Sequence, residues 1–415
     1  MTFRTLVVRA CLTLTAAAAL AGSAVAGSDA VTRRAPSLPE EAYPPIGAVA
    51  PSLDRVDVAL PDGPVASRYA REMPQQQAVQ ATGDAANAPD ARRKGAEFLK
   101  SIQHQDGGWG AGNWGQPDDQ APSDVATTAM VVLALHRDAN GTDVHAEAIQ
   151  SGVKNVLAAI AKAPKDSAKV ITPEGTQPQR KLGALVDTHM AAMMLTEVGA
   201  SLPDDMQVAV DRGLGQVIAK VQLAQNADGS FDGNGWAPVL SNSIAATSLI
   251  KAKEKGVSVD DEVLERSERY QAAQVSEDGD VNTSTGAGVD LYAVAGSLRT
   301  NTLASKRGGS KSAPAAEEAA VATRQRVTSD AGRLMAGFGS VGGEEMLGYM
   351  MISDTLAEDG GDDWSTWEER VGAYLVGIQN ADGSWVGHHC ITSRTFTTAA
   401  AVMTLGAGDW AKRQG

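Results

Sequence analysis

The chain is poor in cysteine, in aromatic residues and in basic residues relative to acidic ones. Its 415 residues include two cysteines and 4% aromatic residues, and 36 Lys and Arg stand against 50 Asp and Glu. The formal net charge of −14 makes nucleic acids and anionic membrane surfaces poor partners. Beyond the N-terminus no segment reaches about 18 uninterrupted apolar residues, so we expect no transmembrane span.

The first 26 residues have the pattern of a secretory signal peptide. Arg4 and Arg9 precede an apolar run over 12–20, and small residues at 24–26 provide a cleavage site. We therefore expect a secreted or periplasmic protein. Cleavage would remove Cys11 and leave Cys390 alone, so that no disulfide could form within the mature chain.

The rest of the chain divides by composition into two parts. Residues 27–90 are rich in Ala and Pro and show no apolar period, which predicts a flexible leader. Residues 91–415 are long enough for one domain with a single core.

Helical periodicity covers nearly all of this domain, and strand-like alternation is absent. The predicted helices lie near 92–103, 123–136, 144–161, 183–199, 205–223, 240–254, 260–273, 286–299, 315–335, 343–357, 364–379 and 392–407. Charged segments alternate strictly with apolar, small-sided ones, and the joint 300–314 is predicted to be a surface excursion. Apolar helices belong inside and charged ones outside. The sequence therefore predicts an all-α fold, a single (α/α)6 toroid.

One short phrase occurs three times: a helix end, a glutamine, then Asp-Gly-(Gly/Ser)-aromatic. The copies are centred on Gln103, Gln225 and Gln379, and a weaker one on Gln274. Such self-similarity indicates stacked supersecondary units. The joints after these glutamines should meet at one end of the toroid, where the inner helices begin. The residues expected at this end are Trp109, Trp114, Asp118, Asp119, Asp232, Asn234, Trp236, Trp385, His388 and His389.

These phrases resemble the glutamine–tryptophan (QW) repeat of the prenyltransferase/squalene-cyclase (squalene oxidase) repeat superfamily. The stretch 94–109, with Gln103 and Trp109, carries the clearest match, and Tyr374 to Trp385 matches again. The resemblance covers about 92–407. It implies that the glutamine ties one helix end to the next and that the aromatic ring stacks against it.

The cyclase chemistry is not expected to accompany this resemblance. Squalene-hopene-type cyclases protonate an alkene with an Asp-x-Asp-Asp motif, and here Ala126 stands in place of the proton donor, two residues after Asp124. The carbocations of such a cyclisation also need a cavity lined by aromatic side chains, which stabilise positive charge. The inner helices offer few aromatic side chains beyond Tyr292, Tyr349 and Phe396. Such cyclases further resemble two joined toroids, whereas this chain has the length for one.

A metal centre is a weaker expectation. Protein prenyltransferases hold zinc with Asp, Cys and His, but the Asp-x-Cys pair is absent, and His388 and Cys390 are the ligands that this sequence offers. The main expectation is no cofactor, with zinc as the alternative.

Candidate site residues follow from the predicted end of the toroid. For catalysis they are Asp124, Glu345 and His388. For ligand binding they are Trp109, Trp114, Trp236, Asp187, His189, Tyr292, Tyr349 and Arg394. The leading hypothesis is an apolar central pocket that binds a small apolar or amphipathic ligand, or an extracellular protein or glycan. The alternative is an enzyme, either an isoprenoid transferase or cyclase with an altered acid, or a metal- or acid-dependent hydrolase or lyase acting on extracellular material such as polysaccharide.

Overall fold

The computed structural model describes residues 82–116, 120–231, 235–276 and 278–414, and this part of the chain is helical. Apart from two isolated bridges, no strand occurs among these residues. The helices are α1 (Ala88–Ser101), α2 (Val125–Ala139), α3 (Ala146–Lys162), α4 (Gln177–Leu182), α5 (Val186–Val198), α6 (Asp204–Leu223), α7 (Pro238–Glu254), α8 (Asp261–Ala272), α9 (Asp290–Lys306), α10 (Ala313–Ser329), α11 (Ala331–Met335), α12 (Gly343–Asp359), α13 (Gly361–Gly377), α14 (Arg394–Leu405) and α15 (Ala407–Gln414).

Alternate long helices of the described chain form a closed inner ring. In order around the ring these are α2, α5, α7, α9, α12 and α14, and α14 packs back onto α2. The helices between them, α1, α3, α6, α8, α10 and α13, pack on the outside of this ring. The arrangement confirms the predicted all-α (α/α)6 toroid.

The inner helices lie inside because they have no polar face to present to water. Residues 125–135 of α2 and 291–298 of α9 are buried at every position. Many of these residues are Ala, Gly, Ser or Thr, so that helix backbones can approach closely. A helix that is apolar on all sides is stable only when other helices cover it, and each inner helix here has such neighbours.

The repeated glutamines connect successive outer helices. The side-chain amide of Gln103 donates to Gly107 O (2.8 Å) in its own turn and to Ala148 O (3.0 Å) at the start of α3. Gln225 makes the equivalent bond to Val263 O (2.8 Å) in α8. In the weaker fourth copy, Gln274 donates to Tyr270 O of its own helix and makes no such connection.

Several boundaries differ from the sequence-based expectations. The predicted helix 315–335 is broken at Asp330, whose side chain caps α11 by accepting from Arg333 N (3.1 Å). The predicted excursion at 300–314 was wrong for its first part, because α9 continues to Lys306 and buries Thr300 and Asn301. The surface joint between α9 and α10 is therefore only a few residues long.

The N-terminal expectations fall largely on residues that the structure does not describe. The predicted signal peptide and the leader up to residue 81 lie outside the described residues. From residue 82 the chain is packed, since Gly83 N donates to Ala373 O of α13 (3.1 Å), and α1 begins at Ala88. None of the described helices is long and apolar enough to cross a bilayer.

Candidate functional site

The joints that lead from outer to inner helices meet at one end of the ring, as predicted. Four residues expected there lie outside the described residues: Asp118, Asp119, Asp232 and Asn234. Trp114 and Trp236, from two different joints, are 40% and 44% exposed. The ammonium of Lys181 lies near both rings, 5.7 Å from the centroid of Trp114 and 4.9 Å from that of Trp236. The indole N–H of Trp114 also donates to Cys390 O (2.6 Å). We call Trp114, Lys181, Trp236 and Cys390 the rim cluster.

Glu345, a predicted acid–base residue, lies below this cluster and is fully buried. Its Oε2 accepts from Gly342 N (2.9 Å) and its Oε1 from Phe338 N (3.0 Å). The hydroxyl of Tyr292 also donates to Oε1, and His389 Nε2 lies 3.3 Å from Oε2. The structure therefore uses this carboxylate to hold the start of α12 and the loop before it.

The preceding residue, Glu344, was not among the predicted site residues. It is also fully buried, and its Oε2 accepts from Ile391 N (3.2 Å), whereas its Oε1 has no hydrogen-bond partner among the described residues. Burial and the neighbouring Glu345 raise the pKa of Glu344 to about 7. The sequence could have indicated this acid, because it follows two glycines at the start of an otherwise apolar helix.

Asp124 and Asp187 form a second buried carboxyl pair. Asp124 accepts from Thr127 N (2.8 Å) and Ala111 N (2.9 Å), and Asp187 accepts from Ala126 N (2.9 Å). Burial and the charge of Asp187 raise the pKa of Asp124 to about 7. Both side chains cap the first turn of α2, as acidic residues commonly do at a helix N-terminus.

Asp187 also lines a surface cavity of about 270 Å³ beside α4 and α5. Within this cavity Gln179 Nε2 donates to Asp187 Oδ2 (2.7 Å) and the hydroxyl of Thr172 lies 3.3 Å from Oδ1. These polar side chains of the cavity lining therefore already have hydrogen-bond partners within the protein.

Two of the predicted ligand-binding residues, Trp109 and Tyr349, have structural roles instead. Trp109 is buried, not on the surface, because its indole N–H donates to Leu99 O (2.8 Å). Tyr349 packs edge-on against Trp367 and Tyr374 of the outer helix α13 and donates to Met335 O (2.5 Å), so it does not face the centre of the ring.

Two further predicted residues are tied to neighbouring side chains. His189 Nδ1 lies 2.8 Å from Ser241 Oγ, and burial lowers the pKa of His189 to about 3, which keeps the ring neutral. Arg394 bonds Ser384 Oγ (2.7 Å) and pairs with Asp382, which fastens the last repeat to α14.

The two residues predicted as metal ligands differ in exposure. His388 is exposed, whereas Cys390 is mostly covered, and burial followed by the charge of Glu344 raises the pKa of the Cys390 thiol. Among the described residues, no group of three or more His, Cys, Asp and Glu side chains is arranged to hold a metal ion.

A different set of charged side chains lies at the opposite end of the ring, where the inner helices end. Arg137 of α2 pairs with Glu197 of α5 (2.8 Å) and, across the ring, with Asp354 of α12 (2.6 Å). Arg299 of α9 pairs with Glu358 (2.7 Å). Burial opposes ionisation of Glu358, but Arg299 and Lys251 outweigh it and lower its pKa to about 2.

A cavity of about 50 Å³ opens among these residues, and we call it the chamber. Its wall includes Met193, Thr196, Thr247, Lys255, Met351 and Trp410. Helix α15 brings Trp410 against this end, with the indole ring 4.2 Å from the guanidinium carbon of Arg137. Three of these residues each have a buried polar atom without a hydrogen-bond partner in the part of the chain that the structure describes: Thr196 Oγ1, Thr247 Oγ1 and Trp410 Nε1.

The chamber was not among the sequence-based expectations, although the sequence contains a signal for it. Five of the inner helices, apolar along most of their length, carry a charged residue in their C-terminal half: Arg137, Glu197, Lys251, Arg299 and Asp354. Since inner helices of a toroid run in the same direction, these charges must meet at one end.

Solved structures of the type II terpene cyclase MstE from Scytonema are similar to this chain. The complex with merosterolic acid A is 14% identical, with a TM-score of 0.38 over 79% of this chain and 87% of the cyclase chain. The apo structure is 13% identical, with a TM-score of 0.34 over 77% and 98%. No family model and no curated protein matches the sequence. The fold described above rests on the helix ring itself.

Proposed function

We propose that this protein binds a small amphipathic molecule in the chamber and does not run class II terpene cyclisation. The observation that supports this is the lining of the chamber, where the apolar side chains of Met193, Ile244 and Met351 lie beside charged side chains. The flexible side chains of Met193 and Met351 could adapt to the apolar part of a bound molecule, and the charged side chains could contact its polar part.

The residues at the other end of the ring, near the rim cluster, support the proposal that the protein does not run class II terpene cyclisation. Ala126 occupies the place of the proton donor, and Asp124 and Glu345 are engaged by backbone N–H groups at helix starts. Both carboxyl groups are thus already occupied as hydrogen-bond acceptors of the protein backbone.

Direct binding tests the proposal. The purified full chain would be titrated with decanoate, decanol and decylamine by isothermal calorimetry, and saturable binding of any one of them is expected. Thr247→Leu should abolish this binding, because the larger side chain fills the chamber, while Thr323→Leu on α10 should leave it unchanged. If none of the three molecules binds, or if Thr247→Leu binds like the parent, the chamber is not the binding site.

A second candidate function rests on Glu344. A buried carboxyl group with a pKa of about 7 and one unpartnered oxygen has the properties of a general acid. It lies close enough to Lys181 and Cys390 of the rim cluster to interact electrostatically with both. Under this alternative, an activity on extracellular material would be lost in Glu344→Gln although the variant stays folded.

We also propose that the protein is exported, on the strength of the N-terminal signal pattern. N-terminal sequencing of protein recovered outside the cytoplasm should begin just after residue 26. Recovery of the full-length chain only from the cytoplasm would contradict export.

A further inference from the structure

The exposed Trp, Tyr and Phe side chains of the described residues all lie at one end of the ring. They are Trp114, Trp236 and Phe338, and each belongs to a joint that leads from an outer to an inner helix. The ring centroids of Phe338 and His389 lie 5.2 Å apart, and His389 precedes Cys390 of the rim cluster. Exposed aromatic side chains grouped in this way mark a candidate contact surface.

Trp236 is held in place by its two neighbours in sequence. Gly235 packs so closely on the turn after α4 that a Cβ atom at this position would lie 2.5 Å from Gly183 N. On the other side, Ala237 N donates to Lys181 O (2.8 Å). The second indole of the rim cluster is fixed by its own N–H hydrogen bond. Because both rings are positioned before a ligand arrives, its binding costs little ordering entropy.

Charge favours a neutral ligand at this surface. The chain has a formal net charge of −14, which disfavours polyanions. The ammonium of Lys181, beside both indoles, disfavours a second cation at the same place. Lys181 is only partly buried, and an ammonium has three N–H donors, so the hydroxyl oxygens of a neutral ligand can accept from it.

The area of the two indoles favours a small molecule over a protein partner. A tryptophan side chain buries up to about 150–250 Å², so Trp114 and Trp236 at 40% and 44% exposure leave about 100–200 Å² accessible together. A stable protein interface buries about 800 Å² on each partner. The two centroids lie 5.7 and 4.9 Å from the same Lys181 nitrogen, so one small molecule can contact both rings.

We propose that the rim cluster binds a neutral saccharide, with the C–H face of a sugar ring against Trp114 or Trp236 and hydroxyl oxygens accepting from Lys181. A sugar ring carries an apolar C–H face and several hydroxyl groups in one molecule. This combination matches exposed indoles beside an ammonium. The site lies at the opposite end of the ring from the chamber, so it does not depend on the proposed function.

Titration with neutral hexasaccharides tests the proposal. Isothermal calorimetry of the full chain with cellohexaose, maltohexaose and N-acetylchitohexaose should show saturable binding of at least one of them. Hexagalacturonate, which is anionic, should bind at least about tenfold more weakly than that saccharide. If none of the three neutral saccharides binds, or if hexagalacturonate binds more tightly than all of them, the proposal is wrong.

Variants of Trp236 test the stacking contact. Trp236→Leu should weaken saccharide binding by at least about tenfold, because it removes the planar face, and Trp236→Phe should keep most of the affinity. Val208→Ala, at an exposed apolar position of α6, is the control and should have no effect. Equal affinity in Trp236→Leu and the parent would overturn the proposal. So would a dimer of the parent, seen by sedimentation equilibrium, that becomes monomeric in Trp236→Leu and is unaffected by saccharide.

A glycine variant tests the position of the indole without removing it. Gly235→Ala should displace Trp236 and weaken saccharide binding at least about threefold. Gly215→Ala on α6, where an added Cβ meets no atom within 4 Å, should bind like the parent. Unchanged affinity in Gly235→Ala would contradict a positioned indole. Thr247→Leu, which fills the chamber, should leave saccharide binding unchanged, so that failure of this proposal and failure of the proposed function are distinguishable.

Discussion

The side-chain amide of Gln379 donates to the backbone carbonyl of Ala91 (2.8 Å), 288 residues earlier in the chain. Gln379 follows the last outer helix, α13, and Ala91 lies in the first, α1. The same amide also holds Gly383 O of its own turn (2.9 Å). The repeat that elsewhere joins neighbours along the chain here joins the two ends of the ring.

Trp385 reinforces this closure, and its loss should be costly. The ring is fully buried, and its N–H donates to Leu375 O (2.9 Å). We expect Trp385→Ala to lower the free energy of unfolding in urea by about 3–5 kcal/mol, since it leaves a large cavity. Trp236→Ala, at a half-exposed position of the rim cluster, is the matched control and should cost much less. A loss well under about 1 kcal/mol in Trp385→Ala would contradict its role in closing the ring.

The fold could be predicted because its signal is local in the sequence. Apolar runs such as 125–135 and charged segments such as 262–268 alternate, and this pattern alone assigns inner and outer helices. The exposure of Trp114 and Trp236 at one end followed from the same reasoning. The burial of Trp109 did not follow, since its indole turns inward to the carbonyl of Leu99 in the preceding helix α1, and composition does not show this.

The chamber could not be predicted in the same way, because it depends on pairs distant in sequence. Arg137 and Asp354 are 217 positions apart, and only the closed ring brings them together. The register of each inner helix decides which charges face one another, and helix ends are uncertain by about two to four residues from sequence. The unpartnered hydroxyl groups of Thr196 and Thr247 are still harder to predict from the sequence, since a missing hydrogen bond has no sequence pattern.

Arg137 should be essential for stability even without any ligand. Its side chain is 2% exposed and neutralises Glu197 and Asp354. We expect Arg137→Met to reduce the free energy of unfolding by about 3–5 kcal/mol, because it leaves buried charges without a partner. Adding Asp354→Asn should restore part of the loss.

The control for Arg137 is an exposed pair. Arg93 and Asp90 are 61% and 48% exposed, and Arg93→Met should change stability by less than about 1 kcal/mol. If Arg137→Met changed the free energy of unfolding as little as Arg93→Met, the ion pairs around the chamber would not contribute to stability.

The raised pKa of Glu344 predicts a pH-dependent stability term of defined sign. Between its ordinary pKa of 4.5 and its folded pKa of about 7, the native state keeps a proton that the unfolded chain has lost. This contribution to stability is complete at low pH and is lost as the pH rises through that window. In Glu344→Gln it is absent, so the variant should gain about 3 kcal/mol relative to the parent between about pH 4 and pH 8.

Urea denaturation of both proteins across this range provides the measurement. Other titrating groups are common to the two proteins, so the difference in the free energy of unfolding isolates Glu344. Glu317→Gln, at an exposed position of α10, should show no such trend. A difference that stays flat with pH would mean that the pKa of Glu344 is the same in the folded and the unfolded protein.

Cys390 should react slowly with alkylating reagents, and its neighbours should change that rate in opposite directions. Burial and the charge of Glu344 raise the pKa of its thiol, while Lys181 lowers it, and the thiolate is the reactive form. We expect iodoacetamide to modify Cys390 at least about tenfold faster in urea than in the folded protein at about pH 8. Glu344→Gln should accelerate the folded reaction, and Lys181→Met should slow it. Peptide mapping by mass spectrometry distinguishes Cys390 from Cys11, and the three proteins should react alike once unfolded. Equal folded rates in all three would show that the carboxyl and the ammonium do not act on the thiol, and the rim cluster would then lose its electrostatic link to Glu344.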